Sequence, residues 1–258
     1  MLLAVDIGNT NIHVGLWNGT VWVQSWRART IAEKMADEYA VLLRNFFAER
    51  ELGFDDVTGV VMASVVPPLT PTFLELCEQR MGCTPLNVEP GVRTGIRVLV
   101  DNPSEVGPDR VVNSAAVQKL YGGPAIVIDL GTATTFDIIN ADGDYIGGVI
   151  ATGILLAHDA LVSRAARLRK VELTAPPTVI GRNTVHAMQS GLFLGYIAMI
   201  EGLVARIKHE LNAPGTKVIA TGGLSALFTQ HTDVIDEIAP NLTLDGLRII
   251  WEMNQGKG

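Results

Sequence analysis

Cysteine is scarce: Cys77 and Cys83 are the only two in a chain of 258 residues. They make no CxxC pair, no metal-ligand series and no disulfide framework, so free thiols in a reducing compartment are expected. Basic charge is short as well. Lys plus Arg is 20 against 27 for Asp plus Glu, a net charge of −7, and no basic run occurs. That excludes general nucleic-acid binding. It leaves room for a small site in which backbone N–H groups hold a polyanion. The longest apolar stretch, around Leu192–Ile207, is interrupted by Glu201 and Arg206. It reads as too short and too charged to span a bilayer. The start, Met1-Leu-Leu-Ala-Val-Asp-Ile, lacks the basic region of a signal peptide. The expectation is a cytoplasmic protein with neither membrane nor nucleic acid as partner.

Metal-type histidine spacing is also missing. His13, His158, His186, His209 and His231 stand apart from one another and from the cysteines. His158-Asp159 reads as an exposed helix dipeptide. Met188 and Met199 read as packing residues. Trp22 and Trp26, four apart on a candidate strand, read as one face of a sheet.

What the chain does have is apolar content of 48% and enough length for one large domain or two small ones. It also repeats itself. Residues 2–19 read LLAVDIGNTNIHVGLWNG and residues 126–143 read IVIDLGTATTFDIINADG. In both, an apolar strand runs into Asp, an apolar residue, Gly and small polar residues. A second strand follows and ends in a tight-turn Asn-Gly or Asp-Gly. A third strand comes next, Val21–Trp26 or Tyr145–Ile150. Later elements correspond too. Gly59–Ser64 and Lys217–Thr221 are buried-type strands. Helical stretches precede them (Ala32–Glu49, Thr184–Leu211) and follow them (Pro71–Met81, Ser225–Thr229). The last short strand is Pro85–Val88 in the first half, with Leu242–Leu244 the candidate in the second. Each half is thus a three-stranded meander joined to βαβ crossovers, a domain duplication. The boundary is placed at 118/119, inside a helix that begins near Arg110 and ends at Tyr121-Gly-Gly-Pro124, giving domains 1–118 and 119–258.

Three short motifs carry the chemistry. In Asp6-Ile-Gly-Asn-Thr10 a strand ends in a carboxylate, Gly8 permits a tight turn, and Asn9 and Thr10 add side-chain donors. This is a phosphate cradle with a carboxylate placed to face hydrated Mg²⁺. Asp129-Leu-Gly-Thr-Ala-Thr-Thr135 is its second copy. The two could face each other across a cleft and hold a polyphosphate. Asp137, on the next strand, reads as structural. Thr221-Gly222-Gly223, at the end of a buried strand, would let a flat ring approach the backbone. By residue type alone, Asp109-Arg110 reads as a helix cap and first turn.

In combination these motifs resemble the superfamily of acetate kinase, heat-shock chaperone and actin ATPases. That likeness implies an α/β fold of duplicated ribonuclease-H-like (actin-like ATPase) domains, each a mixed sheet with flanking helices and a cleft between them. Over nearly the whole chain the sequence further resembles type III pantothenate kinase. The carriers are Asp6-Ile-Gly-Asn-Thr-Asn, Gly107-Pro-Asp-Arg110, Asp129-Leu-Gly-Thr-Ala-Thr-Thr, Gly147-Gly-Val-Ile, Val179-Ile-Gly-Arg-Asn-Thr184, Ala187-Met-Gln-Ser-Gly191 and Thr221-Gly-Gly.

The resemblance implies an ATP-dependent transferase that phosphorylates the primary hydroxyl of pantothenate, the first step of coenzyme A biosynthesis. It makes Asp109 the general base, with Arg110 beside it to orient substrate or hold charge. Asp6, Gly8, Asn9, Thr10, Gly131, Thr132, Thr134, Gly222 and Gly223 would bind ATP. Val100, Gly107, Asp109, Arg110 and Thr184 would line the acceptor site. Asp129 would hold a monovalent cation, K⁺ or NH₄⁺, and Asp6 would meet Mg²⁺ through water. Thr184 would serve the neighbouring subunit's pocket, which implies a homodimer with its substrate pocket near the interface. Lys34, Lys119, Lys170, Lys208, Lys217 and Lys257 all lie outside the motifs, which suits a site that relies on cations and backbone donors.

The chain departs from the family pattern at two places. Thr152 stands where the glycine loop usually has Pro. Val100 stands where a Tyr commonly lines the pantothenate pocket, and one lost hydrogen bond weakens binding by about 0.5–1.5 kcal/mol. Two other readings stay in view, the first because of these departures and the second because the family resemblance extends to relatives described as transcriptional accessory factors. One is a kinase for another small hydroxyl compound. The other is a nucleotide-binding regulatory protein without turnover.

Overall fold

The computed structural model describes residues 1–256; Lys257 and Gly258 lie outside the described residues. The chain forms two units, Met1–Leu120 together with the chain from Asn241 on, and Tyr121–Pro240.

The first unit is built on β1 (Leu2–Ile7), β2 (Asn11–Trp17), β3 (Trp22–Arg29), β4 (Gly59–Ser64) and β5 (Leu86–Asn87). Their order in the sheet is β3-β2-β1-β4-β5. The first three strands form an antiparallel meander, and β4 and β5 join in parallel. The parallel joins need crossovers, supplied by α1 (Ala36–Ala48) and α2 (Leu69–Met81). Alternation along β1 sends Leu3, Val5 and Ile7 to the face covered by α1 and α2, where Leu43, Phe47 and Phe73 are buried. Leu2 and Ala4 point to the other face, and Asp6 continues that row. There α3 (Pro108–Leu120) and the C-terminal helix (Leu242–Asn254) close the core through Val112, Ala115, Leu244, Leu247 and Ile250.

The C-terminal helix is a departure from the sequence reading. Leu242–Leu244 is the start of this helix and not a strand, and the helix belongs to the first unit. Leu244, Leu247 and Ile250 recur at three-residue spacing, and that stripe is what the first sheet needs to cover its second face. The chain therefore passes between units twice, after Leu120 and after Pro240, whereas the expected division at 118/119 names one crossing.

The tryptophans differ as well. The β2–β3 register slips between Leu16 and Trp17, which pairs Leu16 with Gln24 and Trp17 with Trp22. The extra residue of this bulge turns the strand over. Trp26 joins the α1–α2 core, while Trp22 packs on Trp17 and donates its Nε1–H to Asp245 on the C-terminal helix at 2.9 Å.

The second unit repeats the plan. Its strands are β6 (Ala125–Leu130), β7 (Ala133–Ile139), β8 (Tyr145–Thr152), β9 (Lys217–Thr221) and β10 (Glu237–Ile238), in the order β10-β9-β6-β7-β8. Read from the other edge this is the first sheet's order. Its last strand is β10, not the segment chosen from sequence. The helices are α4 (Ile154–Arg164), α5 (Thr184–Gln189), α6 (Gly195–Glu210) and α7 (Ser225–Phe228), with a π-turn, Ser190–Leu194, between α5 and α6. The continuous helical run Thr184–Glu210 is 27 residues, long and apolar enough by length and composition to cross a membrane. Here Phe193, Ile197, Ile200 and Val204 instead pack on Ile126, Ile128 and Phe136 of the sheet.

Leu247 is fully buried among α3, β1 and β4. Leu247→Ala should cost about 2–5 kcal/mol in urea denaturation. Glu252→Ala, which removes the exposed partner of Arg248, should stay within about 0.5 kcal/mol.

Candidate active site

The strand ends place the chemistry. In the first unit Asp6 stands at the C-terminal end of β1, and the turn after it closes when Gly8 N–H donates to the Asn11 carbonyl at 3.0 Å. Thr30 straps that turn from β3: its hydroxyl donates to the Gly8 carbonyl at 2.6 Å and its N–H to the Thr10 carbonyl at 2.9 Å. Asn9 and Thr10 remain exposed at the tip.

Asp6 has a neighbour that sequence spacing did not reveal. Asp6, His13 and Arg27 stand opposite one another across three adjacent strands. His13 is buried, and burial together with the Arg27 charge pulls its pKa down to about 4. At neutral pH it is an uncharged imidazole beside the carboxylate. The hairpin was expected from sequence, but which residues stand opposite one another is set by the exact strand register.

Asp109 lies in the first turn of α3, as the helix-start reading expects. Its Oδ1 accepts the Arg110 N–H at 2.9 Å. Arg110 N–H also reaches the Gly107 carbonyl at 3.1 Å, so the three residues form one tight helix entry. A Cβ on Gly107 would sit 2.5 Å from Asp109 Oδ1, so only glycine leaves the carboxyl its place. Burial pushes the Asp109 pKa up from the ordinary carboxylate value, more than the Arg110 N–H and charge pull it down. The result is a carboxyl with strengthened basicity. Val100 is half-buried on the approach to this segment.

In the second unit Asp129 holds the position on β6 that Asp6 holds on β1. Parallel pairing sets Asp129 level with Thr221 on β9, so the second phosphate loop and the Gly222-Gly223 loop meet. Gly222 has φ +88°, and a Cβ there would be 2.5 Å from Asp129 Oδ1 and 2.7 Å from the Leu130 backbone nitrogen. Leu224 N–H then donates to the Leu130 carbonyl at 3.3 Å. Within the loop, Gly131 N–H donates to the Ala133 carbonyl at 3.1 Å and Thr132 is exposed.

Thr134 is placed differently from Thr132. It is fully buried on the core side, and its hydroxyl is bonded to the Tyr196 hydroxyl of α6. Burial raises the Tyr196 pKa, so it stays a neutral phenol. Thr184 is the first residue of α5, capped by the Asn183 side chain, which accepts the His186 N–H at 2.9 Å. It borders a groove of about 610 Å³ with Leu161, Leu168, Gly181 and Met188.

His158 is not the exposed residue expected. It is 2% exposed, and its Nε2 accepts the Val171 N–H at 3.2 Å. Among the described residues no cluster of three or more His, Cys, Asp or Glu gathers. A cation would rest on single carboxylates, backbone oxygens, water and phosphate oxygens. Within each unit taken by itself, the exposed Asn9 and Thr10 of the first, and the exposed Thr132 with the bare backbone at Gly222 of the second, fit phosphate oxygens with a hydrated cation.

Duplicated five-stranded sheets with an Asp-x-Gly turn after the first strand of each define the class: the actin-like ATPase and sugar-kinase fold. Two solved structures show the same fold. A Baf family transcriptional activator from Campylobacter jejuni aligns with TM-score 0.62 at 21% identity, over 98% of each chain. The activator of 2-hydroxyisocaproyl-CoA dehydratase from Clostridium difficile, solved with bound ADPNP, aligns with TM-score 0.58 at 11% identity, over 100% of this chain and 98% of its own. Sequence comparison narrows the class. The type III pantothenate kinase family profile matches residues 2–206. The type III pantothenate kinase of Moorella thermoacetica is 48% identical over 98% of this chain and 100% of its own. That of Roseiflexus sp. (strain RS-1) is 49% identical over 99% and 100%. The chain belongs to the type III pantothenate kinase family. It is a kinase that phosphorylates pantothenate, using ATP and a divalent cation, in the first step of coenzyme A biosynthesis.

Gly222→Ala would drive a methyl group into Asp129 and the Leu130 backbone. Equilibrium titration with an ATP analogue should show affinity at least ~10-fold weaker, a loss of about 1.4 kcal/mol.

Proposed function

We propose that Asp109 is the general base of the transfer. It takes the proton of the pantothenate primary hydroxyl as that oxygen attacks the γ-phosphorus of ATP and the bond to the β-phosphate oxygen breaks, leaving ADP. The observation that carries this reading is the half-buried, basicity-raised carboxyl held by the Gly107–Arg110 helix entry. Phosphoryl transfer is mostly positioning and charge stabilisation, and one oriented carboxylate meets the remaining need.

The other roles follow the family pattern. Asp6, Asn9 and Thr10 with Gly8 meet phosphate, and Asp6 meets Mg²⁺ through water. From the second unit Gly131 and Thr132 meet phosphate, with Thr134 acting through its backbone because its hydroxyl is bonded to Tyr196. Gly222 and Gly223 lie against adenosine. Val100, Gly107, Arg110 and Thr184 shape the acceptor site. Asp129 holds K⁺ or NH₄⁺, whose charge offsets that of the phosphates. When bound, the two cations supply charge stabilisation that this lysine-poor site lacks.

A homodimer is part of the proposal. Ala187, Gly191, Gly195, Ala198, Gly202 and Ala205 form an exposed stripe of small residues along the 27-residue helical run. Val179, Ile180 and Val185 are exposed near its start, at 72%, 82% and 48%. Such a surface suits close approach of a second copy, which would bring Thr184 to the partner's pocket. The proposed compartment is the cytoplasm, in keeping with Cys77 and Cys83 as free thiols.

The acceptor and cation assignments are checked by pantothenate-dependent ADP release with K⁺ or with Na⁺. Release should rise with K⁺, and Asp129→Ala should remove that response. Release that prefers another alcohol would move the acceptor reading to that compound, a choice for which Val100 leaves room.

Asp109→Asn should lower kcat by at least ~10²-fold while ATP binding persists. Near-normal turnover would remove Asp109 from the role. In the wild type, kcat/KM should fall as pH drops and Asp109 takes up its proton. Burial raises that pKa, so the acid limb should lie above the ordinary Asp value of about 4. The stability effect has the opposite sense. A carboxyl with a raised folded pKa favours folding below its unfolded pKa, and that contribution is lost as pH rises through the folded value. At neutral pH, Asp109→Asn should therefore melt no lower than the wild type.

A further inference from the structure

We infer that His158 is a positioning residue: from α4 it holds the loop 165–183 in place and so sets the Gly181–Thr184 turn that the proposed dimer brings to the partner's acceptor pocket. The inference rests on the reading that Thr184 serves the acceptor site.

The loop has no strand or helix of its own. Ordered stretches of that length are uncommon and are usually functional. Side chains hold it at three successive places. His158 Nε2 accepts the Val171 N–H at 3.2 Å. Gln189, at the end of α5, donates from Nε2 to the Glu172 carbonyl at 3.1 Å and to the Thr174 hydroxyl at 2.9 Å. Ser190 donates from its hydroxyl to the Val179 carbonyl at 2.6 Å. His158 and Gln189 are both buried. By contrast the Lys170–Asp159 pair at 3.3 Å is exposed and holds little. Beyond the third tie, Gly181 lies directly against the backbone of Ala187, and Thr184 starts α5. Leu168 and Gly181 from the loop then face Leu161 of α4 and Met188 of α5 across the groove.

The first tie has a second consequence. Gly153, the residue before α4, packs against the carbonyls of Gly131 and Thr132, where no Cβ would fit. Helix α4 thus touches the Asp129–Thr135 loop at its start and, through His158, the loop 165–183 in its second turn. One short rigid element references the phosphate loop of one pocket to the turn that serves the partner's. The bond also sets the imidazole's form. Nε2 accepts only when it carries no proton, so the neutral ring has its proton on Nδ1.

The test compares wild type, His158→Leu and His158→Gln, with Gln189→Met as a second way to free the loop should the leucine variant fold poorly. Leucine fills the space and cannot accept a hydrogen bond; the glutamine Oε1 can. Hydrogen exchange over residues 165–183 should speed up in His158→Leu and in Gln189→Met, and return toward wild type in His158→Gln. KM for pantothenate should rise at least ~10-fold in the leucine variant, a scale set by losing a buried hydrogen bond. KM for ATP should stay within about twofold, and glutamine should restore most of the loss. An unchanged pantothenate KM in His158→Leu, or an equal loss of kcat and of both KM values, overturns the inference. Thr184→Ala separates the two readings. If it raises the pantothenate KM while His158→Leu does not, the positioning role falls alone. If neither variant moves that KM, the acceptor assignment falls and takes this inference with it.

Discussion

Parallel pairing of β6 with β9, in register from Ala125 with Lys217 to Asp129 with Thr221, brings two loops together at one sheet end. What lets them close is the missing side chain at Gly222, where the Asp129 carboxylate and the Leu130 backbone occupy the space of a Cβ. A positive φ there is nearly free for glycine and strained for any other residue. The polar end of the second unit is therefore made of bare backbone around one carboxylate. Such a surface suits a polyanion, because N–H groups and a cation can do what lysines do elsewhere. With a net charge of −7 and no lysine in any motif, the positive side-chain charge that the motifs carry comes from arginine, Arg110 and Arg182.

The two units share a topology and differ in what surrounds it. Asp6 and Asp129 hold equivalent places on the first strand of each sheet. Beside Asp6 stands a buried neutral imidazole with Arg27 beyond it, whereas beside Asp129 stands Thr135. The first unit follows its sheet with a helix whose first turn carries the half-buried Asp109. Duplication explains the pair of Asp-x-Gly turns. Divergence of the flanking helices explains why one unit offers Asp109, the proposed base, and the other a long loop ending at Thr184.

The hairpins and the three motifs were legible because each rests on local chemistry: an apolar alternation, an Asp-x-Gly turn, a Gly-Gly pair. The elements misread were those decided by distant partners. Leu242–Leu244 is short and apolar, which suits a strand, but its neighbours Leu247 and Ile250 complete a helical stripe for a sheet formed more than a hundred residues earlier. Trp22 and Trp26 looked co-facial until a bulge opposite Leu16 and Trp17 turned the strand. His158 sits beside Asp159, and that polar pair suggested solvent. The ring is buried because a loop arriving later supplies a backbone donor. Thr134 was indistinguishable from Thr132 by type. Thr134 lies within β7 and faces the core against Tyr196, whereas Thr132 precedes the strand and stays at the loop tip.

Burial of Asp109 works against the fold and, in its proposed role, for the reaction. A carboxylate moved out of water is harder to ionise, so the folded state at neutral pH carries a penalty that an exposed Asp would not. The local structure limits that penalty without removing it, since the Arg110 N–H and the Arg110 charge pull the pKa back part of the way. In the proposed role the raised pKa strengthens the carboxylate's hold on the alcohol proton. Gly107 leaves room for that carboxyl: a Cβ there would come within 2.5 Å of Asp109 Oδ1, the oxygen that accepts the Arg110 N–H.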